Sequence, residues 1–182
     1  MLLASEIKAA IARGDIKISD FRESALNPNS YNLRIGDVIK QVFPNASEGS
    51  LEYIDPDKPM ICRTGTISEK GVILFPGYVY LVPTMEVVET NKYVPMITGR
   101  SSYGRLGMSA HREAGFGDIG FSGRWTLQID VVTPTLLKPY REVCQVYFNE
   151  VVGDPDEMLY NGKYQHSDGA VESMAWKDIA KL

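Results

Sequence analysis

Only two cysteines and two histidines occur among 182 residues, and their scarcity excludes several chemistries. Cys62 and Cys144 lie far apart and form no CxxC pair. A disulfide framework and a zinc site are therefore not expected, and a reducing cytoplasm is the natural compartment. Long apolar runs are missing too, so no segment reads as a membrane span. The start, MLLASEIKAAIARGD, carries Glu6, Lys8, Arg13 and Asp15 and makes a poor signal peptide. Positive charge is not in excess: at a net −4, general nucleic-acid binding has no electrostatic basis, and any anion site must be a local concentration of Arg and Lys. Neither a GxxxxGK-Ser/Thr loop nor a GxGxxG after a strand occurs, which removes the P-loop and dinucleotide-binding readings.

What remains is an ordinary globular composition, 44% apolar and 23% charged, at a length that suits one domain over residues 1–182. Ile7, Ala10 and Ile11 mark a first helix that Ser5 can cap and Gly14 can end. NPNSYNLRIGD alternates Tyr31, Leu33 and Ile35 with polar partners, the pattern of a half-buried strand. Residues 44–70 are rich in turn formers and read as excursions between strands. From Gly71 the pattern is β: residues 72–75 run into the Pro76-Gly77 turn and 78–88 return, followed by strands over 93–97, 125–132, 136–137 and 143–151. Many short strands with Gly and Pro punctuation predict a mainly β distorted barrel or sandwich with a short N-terminal helix. The stretch from Gly153 is a polar tail.

The chemistry concentrates between Gly99 and Asp130. GRSSYGR sets Arg100 and Arg105 around Ser101, Ser102 and Gly104, guanidinium forks and hydroxyls suited to phosphate, with a helical turn after Ser101. The bland alternative is a surface turn whose arginines pair with the protein's own carboxylates. AGFGDIGFSG surrounds Asp118 with glycines, as in a tight hairpin that a ligand or another chain approaches closely. Along WTLQIDVV, residues Trp125, Leu127, Ile129 and Val131 point one way, and Thr126, Gln128 and Asp130 the other. That polar face is either plain solvent or the floor of a pocket. His111 reads as structural and His166 as solvated.

These motifs together resemble the dCTP deaminase branch of the trimeric dUTPase superfamily. NPNSYNLRIGD, GRSSYGRLG, AGFGDIGFSGRWTLQI and the tail YNGKYQHSDGA carry the resemblance across nearly the whole chain. It implies a dUTPase-like fold, a deoxypyrimidine nucleoside triphosphate as ligand, and a homotrimer with sites between subunits. Magnesium would ride on the triphosphate; no zinc is implied. Arg100, Ser101, Ser102 and Arg105 would bind the phosphates, Asp118 the deoxyribose 3′-hydroxyl or an attacking water, and Phe121 the sugar. Thr126, Leu127 and Gln128 would read the pyrimidine edge. Tyr160 and Lys163 would close over the ligand from the tail, residues 153–182.

Two positions depart from the family pattern. Its catalytic glutamate falls at Gln128, and a carboxamide cannot take and return a proton near neutral pH. A threonine common in the family corresponds to Glu113, which would supply the missing carboxylate. Three readings follow: a dCTP deaminase forming dUTP and ammonia; a dUTP diphosphatase, alone or joined to deamination, for which Asp118 suffices; and a silent nucleotide binder.

Overall fold

The computed structural model describes residues 1–179, so 180–182, the end of the expected tail, lie outside the described residues. Helix α1 (Ala4–Arg13) buries Ile7 and Ala10 and ends at Gly14, whose φ of 81° is the left-handed turn that glycine tolerates. Ser5 does not cap it. Leu3 holds the cap position without a side-chain bond, and the chain start is instead tied by Leu2 N–H to the Phe148 carbonyl and Ala4 N–H to that of Pro28. Tertiary backbone partners have taken the place of the local cap.

Among the described residues fourteen strands follow: β1 (Ile16–Ile18), β2 (Leu26–Asn27), β3 (Ser30–Arg34), β4 (Val38–Phe43), β5 (Ala46–Glu48), β6 (Leu51–Tyr53) and β7 (Ile61–Thr66), then β8 (Val72–Leu74), β9 (Tyr80–Thr90), β10 (Tyr93–Gly99), β11 (Met108–Ser109), β12 (Ser122–Val131), β13 (Thr135–Leu137) and β14 (Glu142–Glu150). One sheet runs β11-β12-β9-β4-β7 with β1 also on β9; a second runs β10-β14-β3-β2. Both contribute to one core, with Tyr31 and Leu33 of β3, Phe148 of β14, Leu127 and Ile129 of β12, and Val82 of β9 all buried. Each such side chain contributes roughly 2 kcal/mol by leaving water. The sheets form a distorted sandwich, and among the described residues neither sheet closes on itself into a barrel.

Three expectations change. Residues 44–70 hold more than excursions, because β7 pairs with β4 along six residues from Val38↔Thr66 to Phe43↔Ile61. Strand β9 does not return against β8 after the Pro-Gly turn; β8 pairs with β13, and β9 is claimed by β12, β4 and β1. Strand β3 is buried on both faces, Ser30 and Asn32 included, with Ser30 bonded to Gln145 of β14 and Asn32 to Asn27 of β2 and Glu142 of β14. Among the described residues no helix is long and apolar enough to cross a membrane.

Candidate functional site

Strand β12 alternates without a break: Gly123, Trp125, Leu127, Ile129 and Val131 are buried, while Arg124, Thr126, Gln128 and Asp130 are only half-buried. The face that carries Gln128 is the floor of a cavity of about 680 Å³. In the ladder, Gln128 stands opposite Leu81 of β9, and Leu81 opposite Lys40 of β4. The far wall is apolar, made by Val42, Val79 and Leu81 with Ile54 and Met60.

The near wall is the long loop between β11 and β12, which brings His111, Glu113, Asp118 and Phe121 to the same cavity as Gln128. This loop is not the expected hairpin. It lies along β10, with Ile97 N–H donating to the Gly115 carbonyl at 2.7 Å and Gly117 N–H to that of Pro95 at 2.8 Å. Ala114 sits at φ 58°, an uncommon conformation for a side-chain-bearing residue, directly after Glu113. Arg112 N–H donates to the Gln128 carbonyl at 3.3 Å, so the segment carrying Glu113 is moored to the strand carrying Gln128. Glu113 and Asp118 are both exposed to the open cavity. Burial lowers the pKa of His111; the Ala114 backbone and the Glu113 charge oppose that shift. The ring is thus biased towards its neutral form.

The tail closes the third side, contributing Tyr160, Tyr164, Ser167 and Glu172. It is fastened to β12 through the backbone: Arg124 N–H donates to Ser167 O at 2.8 Å, and Ser167 Oγ to Arg124 O at 2.7 Å. Thr126 Oγ1 accepts from Val171 N–H at 2.9 Å and donates to Gly169 O at 3.3 Å. The glycines serve this closure. A methyl group at Gly123 would sit 2.7 Å from Ser167 Oγ, and one at Gly120 would sit 2.8 Å from Leu159 Cβ. What approaches Gly120 and Gly123 closely is the chain's own tail, whereas Gly115 and Gly117 are approached by Ile97 and by Trp125 and Pro95.

The cavity therefore gathers Glu113, Asp118, Phe121, Thr126, Gln128 and Tyr160. The ring of Phe121 meets Trp125 and Tyr160 edge-on, at centroid distances of 5.5 and 6.0 Å. Four expected phosphate ligands are elsewhere. Arg100, at the end of β10, gives its Nη1 to the Glu142 carbonyl at 2.9 Å and carboxylate at 3.3 Å. Ser101, Ser102 and Arg105 are exposed in and just after helix α2 (Ser101–Gly104) and do not line the cavity. Leu127 faces the core, fully buried, so only its backbone borders the site. Lys163 Nζ is held by Asp178 and the Met174 carbonyl, outside the cavity lining.

Several lining residues went unread in the sequence. Arg124 shares the face of Thr126 and Gln128 and extends their alternation by two; it donates from Nε to Asp168 at 2.8 Å. Glu172, bonded to Lys40 at 3.2 Å, lies in a tail with no strand or helix pattern to orient it. The apolar wall of Val42 and Val79 carries no local signal, since apolar residues on a strand read as core.

Residues 1–151 match the family described as dCTP deaminase-like. A Clostridium botulinum protein named "dCTP deaminase, dUMP-forming" is 46% identical over 168 residues, 92% of each chain. One of the same name from Cytophaga hutchinsonii is 41% identical over 181 residues, 100% of this chain and 99% of that one. Among solved structures, the 2′-deoxycytidine 5′-triphosphate deaminase from Agrobacterium tumefaciens superposes with a TM-score of 0.63 at 25% identity, covering 82% of this chain and 48% of that one.

Proposed function

Since the chain belongs to the dCTP deaminase-like family, we propose that it deaminates dCTP and carries the product through to dUMP. The observation that supports this most is one cavity lined by Glu113, Asp118 and Gln128 together. Deamination adds water at C4 of cytosine and expels ammonia, leaving dUTP. A group must take a proton from the water and return one to the departing amine, a task for a carboxylate and not for the amide of Gln128. Glu113 fills that role, and Gln128 reads the pyrimidine edge beside the backbone of Leu127 and Thr126. Phe121 packs on the sugar.

The second step splits dUTP with water into dUMP and pyrophosphate. Asp118 would hold the water or the 3′-hydroxyl. The relatives named dUMP-forming favour this extension beyond dUTP. Mg²⁺ would be carried by phosphate oxygens and water. It would stabilise charge on the leaving pyrophosphate. The phosphate set at Arg100, Ser101, Ser102 and Arg105 lies outside the cavity of its own chain, which suits a homotrimer whose sites combine two copies. Lys163 would leave Asp178 to join the phosphates. Residues 1–182 then act as one nucleotide-processing domain of the cytoplasm, closed by its tail.

The neutral Gln128 favours a second reading, a dUTP diphosphatase without deamination. Incubation with Mg²⁺ and dCTP or dUTP, with ammonia, dUTP, dUMP and pyrophosphate assayed separately, distinguishes the two. Ammonia and pyrophosphate appearing in equal amounts from dCTP are expected. Ammonia with accumulating dUTP would reduce the activity to deamination, and pyrophosphate from dUTP with no ammonia from dCTP would establish the diphosphatase. Nucleotide binding without any product would leave a silent binder.

A further inference from the structure

The NPNSYNLR segment has no part in the cavity, yet it ends beneath the phosphate motif. Asn27 Nδ2 donates to Asn32 Oδ1 at 2.8 Å, and Ser30 Oγ to Gln145 Oε1 at 2.7 Å. Asn32 Nδ2 in turn donates to Glu142 Oε2 at 3.0 Å, while Arg22 Nη2 donates to Glu142 Oε1 at 2.9 Å. Both oxygens of this carboxylate are thus pinned before Arg100 is considered. Every hydrogen bond that the Arg100 guanidinium makes to the described residues leaves from Nη1, towards Glu142. Its Nε and Nη2 remain as an unused fork, the geometry with which arginine takes two oxygens of one phosphate.

A carboxylate beside a phosphate-binding arginine would by itself repel the ligand. Here the charge is shared. Arg22 contacts Glu142 and lies 3.9 Å from the fully buried Glu86, which also accepts from Arg34 Nε at 2.7 Å. Three guanidiniums alternate with two inner carboxylates, and Asp20, largely exposed and 3.9 Å from Arg34, stands at the end of the row away from Arg100. The charge of Glu142 is thus shared between Arg22 and Arg100.

We infer that Glu142, seated on Asn32 and Arg22, is a positioning residue that holds Arg100 by one edge and turns the other towards the triphosphate. The inference rests on the triphosphate reading of the site. It gives the early strand motif a purpose in substrate binding that its distance in sequence conceals.

The test is equilibrium binding, with Mg²⁺, of α,β-imido-dUTP, which can be neither deaminated nor cleaved at the α–β bridge, compared with deoxyuridine. In the full chain, Glu142→Gln should weaken the triphosphate about tenfold and deoxyuridine less than about twofold. Equal weakening of both, or unchanged triphosphate binding, overturns the inference. Because Glu142→Gln also touches Arg22, the substitution is repeated on Arg100→Gln. There it should add less than about twofold, whereas a full additional loss would mean a general structural role and would overturn the proposal. A wild-type protein that binds no triphosphate would overturn the nucleotide reading itself, and the inference with it.

Discussion

The cavity around Gln128 and the ground beneath Arg100 are built by opposite means. Arg100 stands on strands: β3 and β14 lie side by side, and their polar side chains interlock through Asn32, Gln145 and Glu142 down to the buried Glu86. The cavity has one rigid surface, the β12–β9–β4 floor, and its acids come from a loop and a tail. Glu113 is exposed and precedes a residue at positive φ, and Glu172 reaches the cavity only because the tail is docked. Arg100 is fixed by the fold, whereas the acids that would react are delivered to it. Grip can therefore persist where chemistry is altered, and a chain can exchange its catalytic carboxylate without rebuilding its phosphate site.

The largest effect should come from the delivered side. Glu113→Gln is expected to lower ammonia release from dCTP by about two to four orders of magnitude, with pyrophosphate release from dUTP unchanged. Adding Gln128→Glu to that variant should recover about tenfold or more of the deamination. Unchanged ammonia release in the single variant would remove Glu113 from the mechanism. On the fixed side, Glu86→Gln removes a fully buried carboxylate and leaves the half-buried Arg34 without its close ion-pair partner, which should cost about 3 kcal/mol in urea unfolding. A loss no larger than that of a surface substitution would show that the row beneath Arg100 is not the rigid element. Between the two lies the docked tail. Thr126→Val removes both hydroxyl bonds to residues 169–171 and should raise KM about tenfold with kcat changed less. A fall in kcat as large as the rise in KM would show that the tail aligns the reacting groups as well as closing over them.

The sequence made this division only half visible. The alternation of β12 gave its two faces, because period-two burial is a local property, but not whether the polar one met solvent or a cavity; α1 and most later strands were readable from local periodicity too. Strand β4 and its partner β7 were missed, since VIKQVF is half-buried along most of its length and shows no clean alternation. Gly120 and Gly123 announced a close approach, but whether by ligand or tail depends on residues about forty positions away. GRSSYGR stood out by its composition as a candidate phosphate grip, with pairing to the protein's own carboxylates as the alternative. Its dependence on Glu142, 42 residues downstream, was not legible, because nothing local to GRSS names the carboxylate that orients it. Ser5 looked like a cap by type and position, and lost that role to distant carbonyls.

Gly123 offers a practical handle on the tail. Its missing side chain leaves the space that Ser167 occupies, so one added methyl acts as a wedge between β12 and the segment lying over it. Gly123→Ala would prise the closure open from beneath while leaving the floor of the cavity and every tail residue in place. It would give a full-length protein in an unlatched form, in which the cost of opening can be separated from the loss of the segment itself.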